Sequence, residues 1–294
     1  MKTIYSALIG NPVDHSVSDV LFGELFRALN YSDNTVEYEH RKINVKPENL
    51  KAAVQNLSLD GSCIGYNVTL PYKIEIVKYF DSLDKTSMEI GAVNTVNIKN
   101  QTSTGYNTDW IGLLVSIRKF TKTNNPKVCI FGSGGASRAA IYAAKQISDN
   151  IVVLYREYPN ISSATRELIK KKDVLGIKLD TYANVKDIIS GSKIIINTTS
   201  TGMIGVKDDA PFDLSLLNGI DLTKKLFIDA VFNPVNTPLI KYLNSNGANT
   251  VDGLWMMIYQ ATKALSIWLD REIIFNSLSL GEIHNKLEEA INES

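Results

Sequence analysis

Val128-Cys129-Ile130-Phe131-Gly132-Ser133-Gly134-Gly135-Ala136-Ser137-Arg138 is the stretch on which the fold turns. Four apolar residues read as a buried strand, and they run straight into a glycine-rich turn. A helix is expected from about Ser137 to Gln146. A dinucleotide-binding turn needs a tight first glycine and a second that lets a pyrophosphate approach the backbone. It also needs a small residue where helix meets strand. Gly132, Gly134 and Ser137 stand in those places. The helix N-terminus offers unpaired N–H groups to a phosphate. The pattern therefore expects a nucleotide at Gly132, Ser133, Gly134, Gly135 and Ala136. The plain alternative is a structural turn.

The pattern extends on both sides. Downstream, Ile151–Tyr155, Ile194–Asn197 and Phe227–Val231 read as further strands, separated by helical segments. Such alternation expects a parallel sheet with helices on both faces. Upstream, Thr3–Ile9 reads as a strand. Leu21, Phe22, Leu25, Phe26 and Leu29 mark a helical face, with Asn11, Pro12 and Ser16 to Ser18 in the loop between. Another short strand runs through Cys63-Ile64-Gly65 towards Pro71, which suits the first turn of a helix expected over Tyr72–Phe80. Near the end, Leu254, Met257, Ile258, Ala261, Leu265, Trp268 and Leu269 recur at helical spacing. A more charged helix follows around Leu280–Asn292. With 294 residues the chain is long enough for about two domains, since single cores rarely exceed ~250 residues.

The strand ending Tyr155-Arg156-Glu157 bears on the nucleotide. An arginine there accommodates the 2′-phosphate of NADP, whereas an acid holds the 2′-hydroxyl of NAD. Arg156 points to NADP, and Glu157 keeps NAD possible.

Bulk chemistry narrows the partners. Lys plus Arg and Asp plus Glu number 31 each, so no strong field favours nucleic acid or an anionic membrane. Cys63 and Cys129 form no CxxC pattern, and a reduced, cytoplasmic setting is expected. No apolar run approaches the ~18 residues of a spanning helix. His15, His40 and His284 lack metal-ligand spacing, so no metal is expected.

Several polar residues stand out but are ambiguous alone. Lys73, early in an expected helix, sits where the dipole favours anions, which hints at a tuned lysine. An ordinary surface lysine is the alternative. Asn107, Thr108 or Asp109 could cap a helix over Trp110–Lys119. Gln260 lies on an otherwise apolar helix. Asn94, Ser16 and Ser18 could be binding groups or turn formers.

Taken in order, these segments resemble the shikimate dehydrogenase family. Gly10-Asn11-Pro12-Val13-Asp14-His15-Ser16-Val17-Ser18 resembles its Gly-x-Pro-x-x-His-Ser-x-Ser pattern. Asn67 to Lys73 resembles Asn-Val-Thr-x-Pro-x-Lys. Gly91 to Thr95, Asn107 to Asp109, Gly132 to Arg138 and Asn197 to Met203 match further family segments. Thr237-Pro238-Leu239 and Gly253-Leu254 through Gln260-Ala261 complete the series.

The resemblance implies an NADP-dependent enzyme reversibly reducing 3-dehydroshikimate to shikimate, on the route to the aromatic amino acids. Lys73 and Asp109 would be the catalytic pair. Ser16, Ser18, Thr69, Asn94 and Gln260 would hold the substrate. Arg156, Thr198, Ala230 and Gly253 would join the glycine loop around the cofactor. The implied α/β fold has two domains: a substrate domain from residues 1–112 and 251–294, and a Rossmann-type domain over 113–250. The cleft between them would hold both ligands. The oligomeric state expected is monomer or homodimer.

The sequence departs from the family after Ser18, where Pro-x-x-His-Asn is replaced by Asp19-Val20-Leu21-Phe22-Gly23. Phe232 also stands where a tyrosine is usual. Three rivals follow. A quinate/shikimate dehydrogenase using NAD shares the mechanism. A ligand sensor on the same fold has no need of Lys73 and Asp109. A folate-dependent dehydrogenase of similar shape fits the serine-rich loop poorly.

Overall fold

The computed structural model describes residues 2–29, 36–156 and 163–293. Two compact units emerge: residues 1–108 joined by 260–294, and residues 109–259.

The first unit opens with β1 (Lys2–Gly10), α1 (Ser18–Ala28), β2 (Val36–Asn44), α2 (Leu50–Leu59) and β3 (Cys63–Val68). It continues with β4 (Ser82–Leu83), α3 (Lys85–Ile90), β5 (Thr95–Lys99) and β6 (Thr102–Tyr106). Its sheet runs β2-β1-β3-β5-β6-β4. β1 lies parallel to β2 and β3, and the β3–β5 and β5–β6 pairs are antiparallel. Alternate residues Tyr5, Ala7 and Ile9 of β1 pack on Leu50, Val54 and Leu57 of α2. This is the period-two burial of a strand against one face of an amphipathic helix.

The second unit carries α4 (Asp109–Phe120), β7 (Val128–Phe131), α5 (Gly135–Lys145), β8 (Ile151–Tyr155), α6 (Ser163–Leu175), β9 (Lys178–Thr181) and α7 (Val185–Gly191). β10 (Ile194–Asn197), β11 (Leu226–Asp229), α8 (Pro238–Ser245) and β12 (Asn249–Val251) follow. All neighbours are parallel, in the order β12-β11-β10-β7-β8-β9. Numbered within this unit, that is the 3-2-1-4-5-6 order of a dinucleotide-binding sheet, with its switch point beside β7. Both faces are covered. Val128 and Ile130 pack with Leu113, Ile117, Ala140 and Ala144 on one side. Cys129 and Phe131 pack with Val185, Ile189, Leu239 and Leu243 on the other. That two-sided burial is why β7 reads as an unbroken apolar run.

α9 (Gly253–Trp268) begins in the second unit and ends in the first, and α10 (Ser277–Glu293) closes the first unit. At its end the Trp268 indole N–H donates to the Val96 carbonyl at 2.9 Å. A Cβ on Gly65 would lie 2.3 Å from that indole nitrogen, so only glycine lets the ring rest on β3. α10 reaches α1 through Lys286 and Glu24, 2.6 Å apart. No helix among the described residues is long and apolar enough to cross a membrane.

The expected helix over Tyr72–Phe80 is a correction. Only a short 3-10 helix forms, at Glu75–Tyr79. In an α-helix the Lys73 carbonyl would accept from residue 77. Here it accepts from the Val93 N–H at 2.7 Å, while the Tyr72 N–H turns back to Thr69. With those groups committed elsewhere, Lys73 lies in a turn, and the dipole argument made for it from sequence does not apply.

Candidate active site

Strand direction gathers the polar residues of the first unit at one sheet edge. β1 and β3 are parallel, so the loop carrying Ser16 and Ser18 and the segment Thr69–Lys73 leave from the same end. Backbone bonds hold the two together, from Thr69 N–H to Ile9 O at 2.9 Å and from Asn11 N–H to Leu70 O at 3.0 Å. β5 runs antiparallel to β3 and β6 antiparallel to β5, which brings the start of one and the end of the other to that edge. Asn94 immediately precedes β5, and Asn107 and Thr108 immediately follow β6.

Asn94 is the hub of a buried network. Its Oδ1 accepts from the Thr108 N–H at 2.6 Å, and its Nδ2 donates to Gln260 Oε1 at 3.1 Å. Thr108 Oγ1 donates to the same Gln260 oxygen at 3.1 Å, and Thr95 Oγ1 lies 2.9 Å from Thr108 Oγ1. Asn67 Nδ2 donates to the Asn94 carbonyl and to Thr95 Oγ1, both at 3.1 Å. Among the described residues, Asn67 Oδ1 and Ser18 Oγ are buried with no protein partner. Leaving such atoms unpaired costs about 1–3 kcal/mol each, so they suit a site that receives a polar ligand.

Ser18 is the first residue of α1, and its N–H donates to Ser16 Oγ at 3.2 Å. Lys42 of β2 steadies this loop: its Nζ donates to the Ser16 carbonyl at 2.9 Å and pairs with Asp19 at 3.2 Å. Asn44 adds a bond from the Val13 N–H, at 2.9 Å. The structure thus brings together Asn94, Thr108 and Gln260 directly, and sets Ser16, Ser18, Thr69 and Lys73 on the same strand edge. Asp109 is the buried first residue of α4, where a carboxylate suits the positive end of the helix. The cap position therefore falls to Thr108, whose hydroxyl serves the Asn94 network.

In the second unit the carboxyl ends of parallel strands do the gathering. Gly132 follows β7, Arg156 follows β8, Thr198 follows β10, Ala230 follows β11, and Gly253 lies two residues past β12. Gly132 has φ +107°, and a Cβ there would lie 2.9 Å from Thr198 Oγ1. A Cβ on Gly134 would meet open space. α5 starts at Gly135, two residues before the expected Ser137, so its free N–H groups lie within the glycine turn itself. Ser137 Oγ donates to the Gly132 carbonyl at 2.7 Å and braces the turn, while Ser133 Oγ lies 2.5 Å from Thr165 Oγ1. Arg138 pairs with Glu167 of α6; this guanidinium and Lys171 hold the Glu167 carboxyl down at about 2. These features fit a dinucleotide: a glycine turn whose backbone is open to a pyrophosphate, and a helix N-terminus with free N–H groups.

The segment 8–96 matches the family model for the shikimate dehydrogenase substrate binding domain. The NADP(+) shikimate dehydrogenase of Methanococcus vannielii is 35% identical, over 94% of this chain and 96% of that one. That of Pyrococcus furiosus is 34% identical over 92% of each. A crystal structure of a shikimate dehydrogenase in complex with NADP+ superposes with a TM-score of 0.82, at 30% identity, covering 99% of this chain and 96% of that chain. The chain belongs to the shikimate dehydrogenase family.

Within the shikimate dehydrogenase family, two of this member's departures, Asp19 and Phe22, have local explanations. Asp19 is the partner of Lys42. Phe22 is buried and stacks on His40, with ring centroids 4.4 Å apart. Burial pushes that imidazole down to about 3, so the stacked ring is neutral near pH 7. Gly23 faces open space, and nothing in the structure requires glycine there. In the segment containing Phe232, Asp229 is buried and accepts from Asn197 Nδ2 at 2.9 Å, the Val231 N–H at 3.0 Å and Thr237 Oγ1 at 2.8 Å. Glu157, which kept NAD possible, lies outside the described residues. Sequence reasoning gave no role to Asn67, Thr95 or Lys42. Asn67 and Thr95 lie inside quoted family segments, whereas Lys42 carries no motif and is found only through the pairing of β1 with β2.

Proposed function

We infer that this chain catalyses the reversible NADP-dependent reduction of 3-dehydroshikimate to shikimate, a step in forming the aromatic amino acids. The observation that carries the reading is the strand edge of the first unit. Ser16, Ser18, Thr69, Lys73 and Asn94 lie at that edge and Gln260 bonds to Asn94, with one buried serine hydroxyl still lacking a protein partner.

Reducing a ring ketone places negative charge on its oxygen. Lys73 Nζ stabilises that charge and passes a proton to the forming hydroxyl. Asp109 orients the same hydroxyl and the ammonium, completing the catalytic pair. Ser16 and Ser18 take the carboxylate, and Thr69, Asn94 and Gln260 take ring hydroxyls, so that no polar group is buried unpaired. When bound, the nicotinamide supplies the hydride. Gly132, Ser133, Gly134, Gly135 and Ala136 hold its pyrophosphate, Arg156 the 2′-phosphate, and Thr198, Ala230 and Gly253 the nicotinamide half. The substrate domain corresponds to the unit built from both chain ends, and the cofactor domain to the unit between. The zero net charge supplies no field that would favour nucleic acid as a partner. Two buried, free cysteines suit the reducing cytoplasm, where the enzyme acts as a monomer or homodimer.

The test is turnover of purified protein, followed by absorbance of the reduced nicotinamide, crossing shikimate and quinate against NADP and NAD. Preferred turnover of shikimate with NADP is expected. Preferred turnover of quinate or with NAD transfers the reading to a quinate/shikimate dehydrogenase. Inactivity in all four combinations, with cofactor still bound, points to a ligand sensor.

A further inference from the structure

Arg156 is not alone at the end of β8. Its Nη2 lies 3.2 Å from Asp208 Oδ2, with side chains 60% and 53% exposed. An ion pair so exposed adds little to stability, so its place in the fold is the more informative property. Arg156 immediately follows the second strand of the dinucleotide-binding order, where the adenosine ribose is read. Asp208 arrives from the opposite side of the switch point, on the loop that follows β10.

That loop is set by contacts independent of the arginine. The Gly202 N–H donates to the Asp208 carbonyl at 2.8 Å. Gly202 has φ +81°, a conformation that keeps this turn to glycine. Phe212 then packs edge-on against Phe131 at 5.4 Å and lies beside Tyr182 at 6.0 Å. The backbone bond and the ring packing therefore set the loop from which the Asp208 carboxylate meets the guanidinium. A guanidinium presents the same donor fork to carboxylate and to phosphate oxygens.

We propose that Asp208 is a specificity-determining residue whose carboxylate occupies on Arg156 the place of the ribose 2′-phosphate. This rests on the NADP reading above. A phosphorylated cofactor must displace the Asp208 carboxylate, because a group carrying about −1.5 to −2 charge is repelled by a carboxylate on the same guanidinium. An unphosphorylated cofactor meets no such competitor. Asp208 thus narrows the preference for NADP over NAD that Arg156 creates.

The test is calorimetric titration of the full chain with adenosine 2′,5′-bisphosphate and with adenosine 5′-monophosphate. Neither probe needs substrate or turnover. Asp208→Asn is expected to bind the bisphosphate roughly three- to fivefold tighter, the range of an exposed pair, with monophosphate affinity unchanged. In an Arg156→Gln background the same substitution should give a much smaller gain. Unchanged or weaker bisphosphate binding by Asp208→Asn overturns the proposal, as does an equal gain for both probes or a full gain without Arg156. Binding of neither probe by the unaltered chain overturns the cofactor reading as well. Bisphosphate binding that ignores Asp208 overturns this inference alone.

Discussion

Lys73 and Ser18 are the residues whose removal is most informative, for opposite reasons. Lys73→Ala should lower turnover at least ~100-fold, the usual scale of a general acid. NADP affinity, measured by titration, should stay unchanged. Undiminished turnover would remove Lys73 from the chemistry. Ser18→Ala deletes a buried hydroxyl with no protein partner. It should raise the KM for shikimate roughly tenfold, the worth of one good hydrogen bond. The melting temperature should hold or rise, since an unpaired buried group is lost. A fall in melting temperature with unaltered KM would mark Ser18 as structural. At this scale the sequence was legible as motif and opaque as geometry. Asn94 alone could have been a turn former, and only antiparallel pairing of β3, β5 and β6 makes it a hub. No helix dipole acts on Lys73, because the Val93 N–H takes the carbonyl a helix would need.

The glycine turn between β7 and α5 shows what an element can reveal. Its strand and helix were readable because the strand is buried on both faces and the turn obeys backbone sterics. The start of α5 was placed two residues late, since a glycine cap carries no side-chain signal. Gly132→Ala should destabilise the protein by about 1–3 kcal/mol, through backbone strain at positive φ. It should also weaken NADP at least ~10-fold, because the added carbon crowds Thr198 at 2.9 Å. Denaturant unfolding and cofactor titration read these separately. Normal cofactor affinity in that variant would displace the pyrophosphate from this turn. The segment after Pro71 is the element least legible, because its fate is decided by the backbone N–H of Val93, about twenty residues away.

At the scale of the whole molecule, the Asp229 carboxyl ties stability to pH. Burial raises the Asp229 carboxyl from 3.8 to about 6, against the three donors that favour its ionised form. A raised acid binds its proton more tightly folded than unfolded. Its contribution to stability is therefore full below the unfolded value, near pH 4, and is lost as pH rises towards 6. The total is at most about 3 kcal/mol. Unfolding free energies between pH 4 and 7 should show this decline, and Asp229→Asn should flatten it; an equal slope in both proteins would assign the effect elsewhere. The overall α/β character was legible from strand–helix alternation. The mixed first sheet was not, because its short strands β4 to β6 carry little apolar periodicity. The unit completed by residues 260–294 also contains residues 1–108, with about 150 residues inserted between. A ribosome adding about 5–20 residues per second makes α1 many seconds before α10 exists to cover it. During synthesis the inserted unit can close first, while the earlier half-sheet waits with Phe22 lacking its Trp268 neighbour. Residues 260–294, made after the inserted unit, thus end this half-sheet's exposure to aggregation and to chaperones.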